Sequence, residues 1–485
     1  MRKFFIVLLV IASFGLSSCQ TTRKIALPAP ASAIPVPKNI IFFIGDGMGF
    51  NHVLAANYFE HGQAGVQPYE QADWTRLALS TYPAVVRKRD GILIFADGYS
   101  PQRAWSDSVY VQKNYTDSGA GGTALATGRK TYNNSIAIGV KGDTLMQVTR
   151  AAEERGKATG LVSSVHISHA TPAAFGAHNY YRSNFVEIAR YMLFHTRLDV
   201  IMGAGNPDFD DNGRPAQSND RFVGGRNLWQ QLSANTGATE FIVDDKVLRV
   251  LDSDGDSQPD PWMVIQTRQE FLDAATGEAP KRLLGIAQAN STLQDGRDKP
   301  EDEAMPFNTP FNANVPSLSE MTLAALNVLS SNPDGFFLMV EGGAIDWASH
   351  DNDLVRIVEE QIDLNRAIQA AIQWVETHSS WEETLIIITS DHETGHLTGP
   401  DHPQNINSPV LNQGKGRLPA ARFHSEDHTN SLVPFYAKGP GQELFNLVAG
   451  GFDPVRGAFL QNVQVPQVIF LMWGKPQVPV HRQTR

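Results

Sequence analysis

Five short, almost unbroken apolar runs constrain this chain more than any other feature. They are 39-NIIFFIGDGMG-49, 159-TGLVSSV-165, 198-LDVIMGAG-205, 336-FFLMV-340 and 384-TLIIITSD-391. None shows the apolar–polar alternation of a strand with one wet face. Such runs suit strands in a sheet covered on both sides. Helical periodicity lies between them, at about 144–155, 317–331 and 353–378. The alternation predicts an α/β fold: a doubly wound, largely parallel central sheet with helices on both faces. Sites in such sheets form at the carboxyl ends of the strands. Asp46, His169, Glu341 and Asp391 fall there.

Residues 206–316 break the pattern. They are rich in Asp, Asn, Pro and Gly and have few long apolar runs. They read as an irregular insertion, part of it over the site. The domain is expected to run from 38 to 473, with 474–485 a loose tail.

The first twenty residues, MRKFFIVLLVIASFGLSSCQ, place Arg2 and Lys3 before an apolar run from Phe4 to Leu16. That run is short for a bilayer span and reads as a signal peptide over 1–18. Leu16-Ser17-Ser18-Cys19 resembles a bacterial lipobox. The resemblance implies cleavage before Cys19, a lipid on its sulfur and, with Gln20 next, an exported protein anchored to the outer membrane. Cys19 is the only cysteine, so no internal disulfide can form. Residues 19–37 carry several prolines and read as a tether. The net charge of −11 and the lack of a basic block argue against a nucleic-acid partner.

Several small motifs carry chemistry. In 45-GDGMG-49 an acid between glycines can approach a metal closely. In 341-EGGAIDWASH-350, Asp346 and His350 are four apart, so a helix puts both on one face, as Zn²⁺ needs. Asp391 and His392 in 389-TSDHETGH-396 reach one ion only from a turn or strand end. In 424-HSEDHTN-430, His424 and His428 are also four apart, and spacing does not choose between them. In 166-HISHATPAAFGAHNYYR-182, His169 and Thr171 share a side if extended, and Arg182 offers a planar fork for a phosphate or a carboxylate. Ser118, in 115-YTDSGAGGTALATGR-129, lies among residues too small to fill a core. A helix starting there would aim free N–H groups at an anion. A serine hydroxyl needs a base or metal to become a nucleophile. Each motif alone also fits a turn, a surface loop or a flexible linker.

Taken in order over roughly residues 38–440, the motifs resemble those of alkaline phosphatases. The resemblance implies an enzyme that hydrolyses small phosphate monoesters through a phosphoserine on Ser118. It implies two zinc ions, one held by Asp346, His350 and His428, the other by Asp46, Asp391 and His392. A third ion, usually Mg²⁺, would use Asp46, Thr171 and Glu341. Arg182 would grip phosphate oxygens. His428 fits the motif and His424 does not. His169 stands where the best-known enterobacterial pattern has Asp, and Trp347 where it has Lys. Both would line the phosphate pocket or the third-metal shell, as in marine bacterial members. A homodimer is a further expectation. About four negative charges on the carboxylates would face about six positive on the ions, plus Arg182, so an acidic chain can still attract a phosphate dianion.

Two other readings share some of these features. A phosphodiesterase or sulfatase of the same superfamily would share the metal ligands. A sulfatase, however, needs a C/S-x-P-x-R setting, which Ser118 lacks. A non-enzymatic metal-binding lipoprotein would have no use for Ser118 or Arg182. Separately, Asp252, Asp254, Asp256 and Asp260 in 252-DSDGDSQPD-260 read as either a Ca²⁺ loop or a solvated acidic turn. The usual sixth-position Gly and final Glu are missing.

Overall fold

The computed structural model describes residues 34–89, 92–300 and 303–475. The signal-peptide expectation and Cys19 lie outside these residues, as do all but the last few residues of the expected tether.

All five apolar runs become strands, and they pair with one another. From one edge the main sheet runs Gly451–Asp453, Gly457–Gln461, Thr75–Ser80, Val433–Lys438, Thr384–Thr389, Asn39–Gly45, Phe336–Gly342, Ala158–His166, Val200–Ala204, Leu283–Ile286 and Met263–Ile265. The seven strands from Thr384–Thr389 to Met263–Ile265 are mutually parallel. Val433–Lys438 runs antiparallel to both its neighbours, while Gly457–Gln461 lies parallel to Thr75–Ser80.

Asn39–Gly45 sits at the centre, and every residue in it is buried. Its side chains alternate between the faces, as strand geometry requires. Ile40, Phe42 and Ile44 join a core with Leu125, Val148, Phe175 and Ile188. Ile41 and Phe43 join a second core with Met321, Ala325, Leu364 and Ile368. Phe42 meets Phe175 edge-on at 5.9 Å between ring centroids. Each large apolar side chain so buried contributes roughly 1.5–3 kcal/mol, and removing one leaves a cavity besides. Helices therefore cover both faces, as expected for a doubly wound sheet.

The helices start where their caps dictate. Leu318–Leu329 begins after Ser317, whose side chain accepts from Glu320 N while Glu320 reciprocates. Leu354–His378 begins after Asp353, which accepts from Val355 N and Arg356 N at 3.1 and 3.2 Å. The helix expected over 144–155 is shorter, Val148–Glu153.

The segment 206–316 is more ordered than its composition suggests. It supplies two parallel strands to the sheet edge, Met263–Ile265 and Leu283–Ile286, and two helices, Arg226–Ser233 and Arg268–Ala274. Strands of three and four residues are too short to show periodicity. Neighbouring strands, not local pattern, make them form.

Register carries the sheet into the site. Ile44 stands beside Glu341 on one side and Thr389 on the other, and Glu341 stands beside Ser163. The strands therefore end level, and the residues that follow them share one rim.

Candidate active site

Ser118 opens the helix Ser118–Thr127. Asp117 caps it, accepting from Ala120 N at 2.9 Å. This fixes the serine at the helix start, fully buried. The helix lies very close to the Asp391 turn: a Cβ on Gly121 would stand 3.0 Å from the Asp391 carbonyl oxygen. The run of small residues is thus a requirement of approach, which answers why nothing bulky occurs there.

Two segments from two strand ends meet Ser118. Its Oγ lies 3.5 Å from Asp46 Oδ1 and 3.2 Å from His392 Nε2. His392 Nε2 is 3.4 Å from Asp46 Oδ1 and 3.2 Å from Asp391 Oδ2. Gly47 lets the chain turn sharply after Asp46. Its φ is +74°, and a Cβ there would be 2.8 Å from Asp346 Cα.

The second group stands on the helix Ala344–His350, which carries Asp346 and His350 one turn apart. Asp346 Oδ2 is 3.4 Å from His350 Nε2, and Asp346 Oδ1 is 3.5 Å from His428 Nε2. His428 arrives on a two-residue strand paired with Glu393–Thr394. The third group is Asp46, His169 and Glu341. Thr171 Oγ1 donates to Asp46 Oδ2 at 3.5 Å, and His169 Nδ1 is 4.0 Å from both Asp46 Oδ2 and Glu341 Oε1. The two oxygens of Asp46 therefore face different groups, one toward Ser118 and the other toward Thr171.

The chemistry of these donors fits cations. The Nδ1 atoms of His350 and His428 face the carbonyls of Glu426 and Thr116 at 2.5 and 2.8 Å. A carbonyl only accepts, so both Nδ1 atoms carry the proton and both Nε2 atoms present lone pairs. Those two Nε2 atoms face each other at 3.1 Å. A proton or a metal ion must lie between them. Likewise Thr394 Oγ1 donates to Asp346 Oδ1, so it accepts from His392 Nδ1 at 3.2 Å, and His392 Nε2 turns a lone pair on Ser118. Asp391 Oδ2 and Glu341 Oε1 are buried with no hydrogen-bond partner. Ligands about 2.0–2.2 Å from a tetrahedral zinc lie roughly 3.3–3.6 Å apart, close to the spacings here.

Electrostatics agree. Burial, then repulsion from neighbouring carboxylates, holds Asp46 and Asp391 well above the usual range. Burial pushes Glu341 up to about 7. Burial also opposes ionisation of Asp346, but His428 and His350 outweigh it and hold that carboxyl well down. Beside Asp346, His350 is pushed up to about 9 despite its burial, and buried carboxylates crowded in this way favour added positive charge.

Arg182 reaches in from the other side. Its guanidinium donates to Asp117 Oδ2 at 3.1 Å and to His169 Nε2 at 3.1 Å. Asp117 thus holds both the serine helix and the arginine. Trp347 lies against His169, 5.8 Å between ring centroids. All the expected residues of the site, from Asp46 to His428, come together.

Asp117, Ser163 and Thr394 serve the site in addition to the residues expected from the sequence. Ser163 Oγ donates to Glu341 Oε2 at 2.5 Å, and Thr394 to Asp346 at 2.5 Å. An Asp just before a helix start is a cap signal and would have singled out Asp117. No local signal exists for the other two. His424, left level with His428 by spacing alone, is elsewhere: its Nε2 bonds Thr398 Oγ1 at 2.8 Å. Asp252, Asp254 and Asp260 do come close together, but Lys281 Nζ lies 2.7 Å from Asp254, 2.7 Å from Asp256 and 3.1 Å from Asp260. The lysine ammonium neutralises part of that loop's charge, and the Ca²⁺ and solvated-turn readings both remain compatible with it.

A family model described as "Alkaline phosphatase" matches residues 37–449. The chain is 33% identical over 481 residues to alkaline phosphatase 4 of Bacillus subtilis (strain 168), covering 86% of this chain and 87% of that one. It is 32% identical over 365 residues to alkaline phosphatase 3 of the same organism, covering 74% of this chain but only 61% of that relative's length. The fold is similar to the crystal structure of Thermus thermophilus alkaline phosphatase, with a TM-score of 0.60, 22% identity and 91% of each chain covered.

Proposed function

Because the chain belongs to the alkaline phosphatase family, a family of enzymes, we propose that it hydrolyses phosphate monoesters with Ser118 as its nucleophile. One observation carries the reading. A fully buried serine Oγ lies within 3.5 Å of Asp46 and His392, beside a partnerless Asp391 oxygen.

Asp46, Asp391 and His392 would hold one zinc, and Asp346, His350 and His428 the other. Asp46, Thr171 and Glu341, with His169 beside them, would hold Mg²⁺. Bound there, divalent cations supply the positive charge that favours an ionised serine and a departing alkoxide.

The protein's own groups do the rest. Asp117 and the helix start aim Ser118 Oγ at the rim where the strands end. Arg182, steadied by Asp117 and His169, offers its N–H groups to the non-bridging phosphate oxygens. Ser118 Oγ gives up its proton and forms a bond to phosphorus as the bond to the alcohol oxygen breaks, and the departing alkoxide takes up a proton. Water then attacks the phosphoserine, releasing phosphate and restoring the hydroxyl. Trp347 and His169 wall the pocket.

The anchoring expectation stands as part of the same proposal: export, cleavage before Cys19 and attachment of lipid to its sulfur, at the outer membrane. Among the described residues no helix is long and apolar enough to cross a membrane.

The test compares initial rates on an aryl phosphate monoester, a diester and a sulfate, for the unsubstituted protein and Ser118→Ala. The monoester should be fastest, and the variant should lose at least ~10³-fold in turnover while binding the same number of metal ions. Unchanged turnover in the variant refutes the assignment of the serine. A faster diester or sulfate refutes the substrate class.

A further inference from the structure

Tyr115 is an aromatic residue at the site to which the proposed reaction gives no part. Its ring lies edge-on to that of His428, 5.9 Å between centroids. It is half-buried, so part of it stays open to solvent. The backbone that carries it is firmly held. Asn114, just before it, sits at φ +57°, in the left-handed region that a non-glycine residue enters at a cost. Asn133 Nδ2 donates to the Tyr115 carbonyl at 3.3 Å, and Asn133 Oδ1 accepts from Asp117 N at 3.2 Å. Thr116, between the two, is fully buried, and its carbonyl accepts from His428 Nδ1 at 2.8 Å. Tyr115 is thereby placed with respect to both Ser118 and His428.

The geometry of the reaction decides what would lie against that ring. In an in-line displacement the oxygen that leaves stands opposite the oxygen that attacks. Ser118 Oγ stands with Asp46 and His392. The alcohol oxygen therefore comes to the other group, Asp346, His350 and His428. Asp346 and His428 are buried, while the side chain of His350 is 36% exposed. The rest of the alcohol has to leave the pocket on that open side, past His350 and the Tyr115 ring that borders His428.

We propose that Tyr115 sets substrate preference, packing against the alcohol part of the monoester and favouring alcohols that carry a flat aromatic ring over small aliphatic ones. This rests on the monoesterase reading and adds the substrate class to it. Aromatic rings meet offset-stacked or edge to face and gain beyond their buried area. A short alkyl chain covers less of the tyrosine ring and gains less. Trp347, also half-buried, packs instead on His169 and His166, beside the third group.

The test uses monoesters whose alcohols ionise nearly alike, benzyl phosphate and propyl phosphate, so that preference reports contact and not ease of departure. In the unsubstituted protein kcat/KM for the benzyl ester should be higher by about 3–10-fold, the scale of one aromatic contact. Tyr115→Ala or, should that not fold, Tyr115→Leu should bring the ratio to within about twofold of one. Tyr115→Phe keeps the ring and should keep the preference. Calorimetry of benzylphosphonate and propylphosphonate, which bind without being cleaved, should show the same order of affinity and the same loss without the ring. Equal rates and affinities for the two compounds in the unsubstituted protein overturn the proposal, whatever the variants do. So does a preference that survives removal of the ring. If no monoester at all is cleaved, the reaction itself is wrong, and this inference falls with it.

Discussion

His350 and His428 meet Nε2 to Nε2 at 3.1 Å, each locked in place through its other nitrogen by a backbone carbonyl. Neither ring can turn away without breaking that bond. The fold therefore holds two ring nitrogens against each other with room for one proton or one ion between them, and Asp346 completes the set. Preorganisation of this kind depends on the groups behind the ligands as much as on the ligands themselves.

Thr394 is the clearest such group. Its hydroxyl links Asp346 Oδ1 to His392 Nδ1 and so joins the two proposed zinc groups. Thr394→Val keeps the shape and removes the link. Zinc affinity should fall about 10–100-fold, with turnover recovering in excess zinc. Zinc titration followed by activity checks this; turnover that excess zinc does not restore would mean that Thr394 acts on something other than metal binding.

Arg182 predicts a different signature. Arg182→Lys keeps the charge but loses the fork that spans Asp117 and His169. The expected loss in kcat/KM for a monoester is roughly 10–100-fold, with metal content unchanged. Steady-state kinetics beside metal analysis separates this from a collapse of the metal groups.

Stability should respond to pH through Asp363. It is 4% exposed and accepts from Leu318 N at 3.2 Å, and burial pushes its carboxyl up to about 6. A carboxyl raised on folding stabilises below its unfolded value, near 4, and loses that contribution as pH rises through about 6. Asp363→Asn keeps an acceptor and cannot ionise. Relative to the unsubstituted protein, it should gain roughly 1–3 kcal/mol between pH 4 and pH 8. Denaturant unfolding at the two pH values measures the difference; a constant offset would show that Asp363 does not titrate in this window.

At the N-terminus, Cys19→Ser should abolish labelling by radioactive palmitate in a bacterial host and release activity from the membrane fraction. Labelling that persists in the variant would exclude Cys19 as the lipid site, since it is the chain's only cysteine.

The sheet and the chemistry were legible for different reasons. Buried strands must be apolar at every position, so Asn39–Gly45 and Thr384–Thr389 declared themselves. The proposed chemistry needs particular side chains, so Ser118, Asp346 and His392 stood out in their motifs. Met263–Ile265 and Leu283–Ile286 did not, because so short a strand is made by its neighbour.

By itself the order of residues determined the layered α/β fold, the strand ends that carry the site and the donors available there. Only the tertiary structure decided how those donors were shared. It put Lys281 among the Asp254–Asp260 carboxylates, separated His424 from His428, and left the buried His402 ring without a hydrogen bond. The reason is physical. Side-chain type is local, but whether a buried nitrogen or oxygen finds a partner depends on atoms brought to it from distant parts of the chain.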